Sequence, residues 1–499
     1  MIIRLRAKHG SDIDLLADIW RLFFGTVDKE EDEAGDVYVE GRIEKVGCLA
    51  EGQANVITLL SKAEAGIAST EALSEEGYSL FRLEEPSDTY GARRTLRRQL
   101  YEALAKLTGV QFPWGSLTGV RPTQIAEFER QNTNSDEEAV KRLIDVWHVS
   151  EEKATLALET NTIEQEILAS LPENAYAIYV GVPFCPSRCL YCSFTSRDAG
   201  RDPSLLDTYA YALEAELDHT FSVGQKRFGQ LIALYIGGGT PTTLGDEAFS
   251  HLLERVISYT GKNIEITVEA GRPETITDEK LQTLQTHGIT KICINPQTMR
   301  DETLPLLNRK HDVADVYEAF KKARAYGMTE INMDLIAGLT GESPDDFIYS
   351  VEKLIELDPE KITLHGLARK RGSFLKEESE ASLHWPDAAW THAFSKAQEK
   401  LRHAGFRPYY LYRQKYIHSG LENISFAKPG SETIYNVAMM SDRVHVLGFG
   451  AGSTTKFIVD TKANRLHTPK DVKMYVDNAA HYGTLKVDTA RKLLPGFDR

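Results

Sequence analysis

Three of the chain's five cysteines fall within eight residues, in the stretch FCPSRCLYCSF: Cys185, Cys189 and Cys192. A CxxxCxxC spacing on a short loop lets three thiolates converge on one soft metal centre. Zinc is one candidate, but a closed zinc site takes four protein ligands, and no further Cys or His stands in the loop. An iron–sulfur cube is the other. Three thiolates hold three irons and leave the fourth open. That iron can chelate the amine and carboxylate of S-adenosylmethionine, whose reductive cleavage releases a 5′-deoxyadenosyl radical. Unrelated buried cysteines are the remaining alternative. Cys48 and Cys293 stand alone and read as structural, Cys293 within a strand-like run.

Chemistry of this kind needs elements that bring distant residues to one mouth. From about residue 175 six short β-rich runs appear, at 176–184, 231–237, 263–270, 291–297, 331–337 and 361–367. Helical patterns separate them at 206–219, 247–259, 278–287, 313–326 and 345–357. Alternation of strand and helix predicts a parallel sheet with crossover helices. Six units suit a partial (β/α) barrel. In such barrels reactive residues gather at the C-terminal ends of the strands. The first run ends in the cysteines and the second in Gly237-Gly238-Gly239-Thr240-Pro241. The third ends at Glu269-Ala270-Gly271 and the fourth at Gln297. The fifth carries Asp334, and the sixth leads to His365 and the basic Arg369-Lys370-Arg371. The glycines allow close backbone approach to a ligand amine. Glu269 can accept from a ribose, and the Arg309 guanidinium matches a carboxylate fork. Tyr191 can lie against an adenine.

Around this core the sequence reads as three domains. Residues 1–170 form an accessory α/β domain without an assigned role, 171–384 the barrel, and 385–499 a C-terminal α+β module facing the substrate. The net charge of −15 argues against nucleic acid as the main partner. The charge is uneven, however. Residues 401–499 hold 15 Lys+Arg against 8 Asp+Glu, a balance of +7 that leaves −22 for the rest. A basic module on an acidic body suits an anionic small ligand. No run of ~18 apolar residues predicts a membrane span, and the N-terminus lacks a secretion-signal pattern. With five cysteines, an odd number, a disulfide framework is not expected, and a reducing cytoplasm is.

The motifs in order are CxxxCxxC after YVGVPF, then GGGTPT, VEAGRP, NPQTM, LNRKH and NMDLIAGL. Together they resemble the radical S-adenosylmethionine enzymes of the oxygen-independent coproporphyrinogen III oxidase group. The N-terminal extension, LHGLARKRGS and the late GFGAGS are similar to its bacterial coproporphyrinogen dehydrogenase branch. The resemblance covers roughly residues 175 to 456 and implies a partial (β/α)6 radical SAM barrel. It places a [4Fe–4S] cluster on Cys185, Cys189 and Cys192. It places S-adenosylmethionine against Tyr179, Tyr191, Ser193, Gly238, Gly239, Thr240, Glu269, Gln297, Arg309, Asp334 and Ala368, with Tyr179 also beside the substrate as the catalytic candidate.

The implied reaction is oxidative decarboxylation of two coproporphyrinogen III propionates, giving protoporphyrinogen IX in heme biosynthesis. The implied electron donor is a low-potential protein such as flavodoxin or ferredoxin. Arg369, Arg371, Arg413 and Lys415 are the expected partners of the anionic tetrapyrrole. Three departures bear on the substrate. Phe194 stands where the well-studied oxidases continue to a fourth cysteine, and Gly181 where they carry a histidine. The stretch YNVAMM from Tyr435 lacks the His-Asn-x-x-Tyr-Trp motif of the related heme chaperones. A heme-trafficking protein on the same fold, or a radical enzyme such as a methyltransferase with another substrate, are the alternatives.

Overall fold

The computed structural model describes residues 2–7, 10–24, 28–31, 38–44, 56–64, 67–74, 78–86, 91–119, 121–192, 197–261, 263–368, 386–414 and 417–497. Contacts divide the chain into two units. One comprises residues 1–161, 376–392 and 411–423; the other comprises 162–375, 393–410 and 424–499. The segment 385–499 therefore contributes to both.

The first unit opens with β1 (Ile2–Ala7), α1 (Gly10–Phe24), β2 (Asp28–Glu31), β3 (Tyr38–Glu44), β4 (Val56–Glu64), β5 (Ile67–Leu73) and β6 (Ser79–Pro86). These strands form one sheet in the order β2-β1-β3-β4-β5-β6. Helix α2 (Ala92–Thr108) packs its leucines with Trp20, Phe23 and Phe112 in a single core cluster. Leu96, Leu100, Leu104 and Leu107 lie on one face at helical spacing. The helix stops at Gly109, which takes the left-handed conformation with φ 70°. Helices α3 (Pro122–Gln131), α4 (Asp136–Asp145) and α5 (Glu151–Ala169) follow.

The second unit is built on β7 (Ala175–Val182), β8 (Phe184–Cys185), β9 (Arg197–Asp198), α6 (Pro203–Phe221), β10 (Gln230–Gly238), α7 (Asp246–Thr260), β11 (Glu265–Gly271), α8 (Asp278–Thr286), β12 (Lys291–Ile294), α9 (Thr303–Leu306), α10 (Val313–Ala325), β13 (Glu330–Ala337), α11 (Pro344–Leu357) and β14 (Lys361–Gly366). Then come α12 (Ala388–His403), β15 (Arg407–Tyr412), β16 (Asn423–Ala427), α13 (Ile434–Met440), β17 (His445–Phe449), β18 (Thr454–Val459), β19 (Lys462–His467) and α14 (Val472–Leu493). The strands β7, β10, β11, β12, β13 and β14 lie side by side in chain order and pair in parallel. These are the six sequence runs, with helices α6, α7, α8, α10 and α11 falling in the crossovers between them. Capping residues start the crossover helices where the sequence offers them. Asp312 opens α10 and Ser343 opens α11, each with a capping box.

The sequence reading did not find the seventh parallel strand, β17, which pairs with the free edge of β7. A buried carboxylate secures the turn after it. Glu216 of α6 accepts from Gly450 N at 2.8 Å and is paired with Lys486 of α14. Tyr209 of the same helix donates to Gly181 O at 2.6 Å and accepts from Ala451 N at 2.9 Å. Helix α13 is held at both ends. Glu265 accepts from the amides of Ile434 and Tyr435, and Lys456 donates to the carbonyls of Ala438, Met439 and Ser441. This fixes the ring of Tyr435 against Tyr235, with centroids 4.6 Å apart.

Candidate active site

Alternate residues of a strand share a face. On the inner face of β7 and β10 these are small or aromatic: Ala177, Tyr179 and Gly181, then Ala233, Tyr235 and Gly237. On β11 to β14 the same face is polar. It carries Glu265, Thr267 and Glu269, then Lys291 and Cys293, then Glu330, Asn332 and Asp334, then Lys361, Thr363 and His365. At the N-terminal ends Lys291 and Lys361 pair with Glu265 and Glu330, so those charges are matched. The C-terminal ends hold the candidate chemistry.

Glu269 is the hub of the second and third strand ends. Its carboxylate accepts from Tyr235 OH at 2.6 Å and from Gly238 N at 3.1 Å. Burial pushes its pKa up to about 7; the Tyr235 hydrogen bond opposes this and the nearby Asp334 carboxylate reinforces it. The three glycines serve close packing. A Cβ on Gly237 would sit 2.7 Å from the Glu269 carboxylate, and one on Gly239 would sit 2.4 Å from Phe184 O. The amides of Gly238, Gly239 and Thr240 are all engaged, by Glu269, Val182 O and Phe184 O. A ligand amine, being a donor, would therefore meet carbonyls here. Tyr179 stacks on Tyr235 and Tyr435, and burial raises its pKa, with Glu269 adding to the shift. Gly181 lies so close that a Cβ there would be 3.2 Å from the Tyr179 ring.

The cysteine loop is anchored from two sides. Thr240 Oγ1 lies 3.6 Å from Cys185 Sγ, so this threonine meets a thiol. Cys192 N donates to Cys189 O at 3.2 Å. Arg272 Nη1 lies 2.8 Å from Cys189 Sγ, and Arg309 Nη1 lies 3.8 Å from the same sulfur. Arg309 also donates to Tyr191 OH at 2.9 Å and to Asn295 O. Tyr191 packs against the Leu307, Ile336, Leu339 and Leu367 cluster. Behind Arg272, burial would raise the Glu274 carboxyl, but the hydrogen bond from His311 and the charge of Arg272 outweigh it and hold its pKa down at about 2.

At the fourth strand end Gln297 has φ 72°, unusual for a residue with a side chain. Its backbone accounts for this, because Gln297 N bonds to Asp334 O and Gln297 O accepts from Ile336 N. Its side-chain Oε1, the Oδ1 of Asn295 and the Nε of Arg309 are all buried without a partner. Buried polar atoms of this kind want a ligand or water. Asp334 accepts from Asn332 Nδ2 at 2.7 Å and lies 3.7 Å from His365 Nε2. Ala368 follows β14 by two residues.

The structure thus brings Tyr179, Gly238, Gly239, Thr240, Glu269, Gln297, Arg309, Asp334, Tyr191 and the three cysteines to the C-terminal strand ends of one sheet. Ser193, Phe194, Arg369, Lys370, Arg371, Lys415 and Cys48 lie outside the described residues. Arg413 is placed elsewhere. It is buried in the first unit, and its nitrogens donate to the carbonyls of Leu117, Gly420 and Leu421. That engagement removes it from the substrate-facing set. Sequence reasoning passed over Arg272, Asn295, Tyr235 and Tyr435. Arg272 had a signal, since it follows Glu269 by three residues at a strand end. Cys293 is buried in β12 beside Tyr235 OH at 3.8 Å.

Residues 179–354 match the sequence family described as the Radical SAM superfamily. The chain is 37% identical over 400 residues to the oxygen-independent coproporphyrinogen-III oxidase-like protein HemZ of Bacillus subtilis, covering 76% of this chain and 77% of that one. The chain belongs to the radical SAM superfamily. Within it, it falls with the coproporphyrinogen oxidase-like proteins. The heme chaperone HemW of Bacillus subtilis is 30% identical over 317 residues, covering 62% of this chain and 78% of that one. Among solved structures, coproporphyrinogen III oxidase (HemN) from Escherichia coli matches with a TM-score of 0.50 and 22% identity, over 65% of this chain and 73% of that one.

Its cofactors are those of the superfamily, a [4Fe–4S] cluster and S-adenosylmethionine. The donor set fits them. Three thiols stand on one loop, and beside them an Arg309 donor and two amide acceptors are buried without partners. Among the described residues no three His, Cys, Asp or Glu side chains could hold a single metal ion. A cube attaches each thiolate to a different iron, so its ligands need not meet at one point.

Proposed function

We propose that the chain is a radical S-adenosylmethionine enzyme that oxidatively decarboxylates two propionates of coproporphyrinogen III to vinyl groups. The observation that carries this reading is the meeting of the cysteine loop, Glu269 and Arg309 at one end of a sheet, in a chain related to HemZ. Cys185, Cys189 and Cys192 would hold the cluster. Arg309 would take the methionine carboxylate through its unpaired Nε, and Glu269 would accept a ribose hydroxyl. Gln297 and Asn295 would present their amide oxygens to cofactor donors, with Tyr191, Gly238 and Gly239 shaping the pocket. When bound, the two cofactors supply hydrogen-atom abstraction from an unactivated C–H bond.

Tyr179, held against the stacked pair Tyr235 and Tyr435, would orient the propionate so that its β-carbon faces that chemistry. Loss of the β-hydrogen, then of carbon dioxide and one electron, leaves the vinyl group. The electron passes to an acceptor outside the chain, and a flavodoxin or ferredoxin would reduce the cluster. Arg369, Arg371 and Lys415 are the proposed partners of the remaining carboxylates. No helix among the described residues is long and apolar enough to cross a membrane, and a reducing cytoplasm suits the thiolates.

The test is anaerobic turnover of the reconstituted protein with and without coproporphyrinogen III. Substrate-dependent 5′-deoxyadenosine, with loss of two carboxyl groups from the tetrapyrrole, is expected. A second reading, a heme carrier, is favoured by the 30% identity to HemW. Stoichiometric heme binding without porphyrinogen turnover would establish that reading in place of the first.

A further inference from the structure

Arg272 is 3% exposed and follows directly on β11. Its guanidinium touches three residues, Cys189 and Ser187 on the cysteine loop and Glu274 just beyond β11. Nη1 lies 2.8 Å from Cys189 Sγ, Nη2 donates to Ser187 Oγ at 2.7 Å, and Nε donates to Glu274 Oε1 at 2.9 Å. Ser187 Oγ in turn donates to Asn308 O at 3.0 Å. The other Glu274 oxygen lies 3.0 Å from Nδ1 of the buried His311. The arginine is therefore held by an anchored carboxylate on one side and a serine on the other, with one N–H aimed at a sulfur.

A planar guanidinium fixed in this way has few other places to point. If its purpose were only to close the fold, the Glu274 and Ser187 contacts would suffice. Arg309 approaches the same sulfur less closely, at 3.8 Å, and still has an unpaired Nε. The two arginines divide the work: Arg309 faces the cofactor, and Arg272 faces the ligand thiolate.

We propose that Arg272 is a positioning residue that sets the reduction potential of the cluster by donating a charge-assisted hydrogen bond to Cys189. Hydrogen bonds and positive charge at a ligating sulfur raise a cluster's potential, because the reduced state carries one more negative charge and gains more from them. The same clamp holds the cysteine loop in register with the 308–311 segment. The proposal rests on the reading that Cys189 ligates the cluster.

The experiment is a potentiometric titration, followed by electron paramagnetic resonance, of the reconstituted full chain and its variants. Iron is counted in each. Arg272→Gln should load iron as the parent does. At the parent's midpoint potential its reduced-to-oxidised ratio should fall about tenfold, which is about 59 mV for a one-electron couple. Arg272→Lys keeps the charge and one donor and should recover part of that shift. A fully loaded Arg272→Gln protein with the parent's potential overturns the proposal. Should Arg272→Gln fold but fail to load iron, Ser187→Ala decides. It leaves the arginine in place without its second anchor, so a smaller negative shift is required, and an unshifted potential overturns the proposal. The underlying ligand reading fails separately, if Cys189→Ala retains the parent's iron.

Discussion

Arg309 and Arg413 are both buried arginines, yet their surroundings differ in one respect. Around Arg413 each kind of guanidinium nitrogen has a carbonyl to donate to, from Leu117, Gly420 or Leu421. Around Arg309 the Nε has no partner, and the neighbouring Asn295 and Gln297 each keep a buried amide oxygen without one. Burial and charge are common to both places. Unused hydrogen-bonding capacity is found at the second. A buried polar atom left unpaired costs about 1–3 kcal/mol, so a cluster of them at a strand mouth marks where a ligand belongs. A saturated arginine marks a joint in the fold.

The comparison is tested most strongly at Arg413. Burial lowers its pKa to about 10, with Glu422 opposing the shift, so it is cationic at neutral pH. Arg413→Met should cost about 3 kcal/mol or more, since three carbonyls lose their donor at about 1 kcal/mol or more each. Denaturant unfolding reads this directly. The folded fraction should bind tetrapyrrole as the parent does. A stable variant with weakened tetrapyrrole binding would reverse the contrast between the two arginines.

Next in size is the pH dependence at Glu269. Its ordinary carboxyl pKa is 4.5 and its folded value about 7. In that interval the folded chain binds the extra proton, so stability falls as pH rises and levels off above about 7. At about 1.36 kcal/mol per pKa unit the fall reaches about 3 kcal/mol. This is a ceiling, because the side chain is only part-buried. Glu269→Gln should flatten this segment of the stability–pH curve in the cofactor-free protein. Equal slopes in parent and variant would mean that the carboxyl is not held in the high-energy state that ligand binding would relieve.

A smaller effect concerns packing behind the thiols. Gly239→Ala puts a methyl group 2.4 Å from Phe184 O and should cost about 1–3 kcal/mol by overpacking. It should also lower iron loading, because Phe184 adjoins Cys185. Gly245→Ala meets nothing within 4 Å and is the control that should change neither. Equal iron loading in both variants would separate the glycines from the cysteine loop.

These cases show what the sequence could carry. The six parallel strands were legible because each buries an apolar face and ends in a glycine or polar punctuation, as at Gly237-Gly238-Gly239. The cysteine loop was legible because its ligands are local. Strand β17 was not, because it joins β7 from more than 250 residues away and its five residues carry no period of their own. Arg413 was misjudged for a related reason. A basic residue in a basic module looks like an anion partner until its carbonyl acceptors, nearly 300 residues distant in one case, are in view. Arg272 was missed because its partner sulfur lies 83 residues earlier. Local spacing reveals ligands on one loop, whereas the groups that support them come from other strands.

The smallest predicted effect is also the finest test of the contrast. Tyr235 donates to Glu269 Oε1 at 2.6 Å, and this bond favours the ionised carboxylate. Tyr235→Phe removes it while keeping the ring that stacks on Tyr435 and Tyr179. The loss above about pH 7 should be about 1.5 kcal/mol, the low end for a hydrogen bond to a charged group. Below about pH 5 the carboxyl is protonated in both proteins and the difference should shrink. Because the bond holds the Glu269 pKa down, its removal moves the titration upward, and the decline in stability should extend to higher pH than in the parent. A loss that is the same at both ends of the pH range would assign Tyr235 to packing alone. In that event Glu269 would resemble Arg413, a buried charge whose partners complete the fold, and its place among the ligand-facing groups would rest on Gly238 alone.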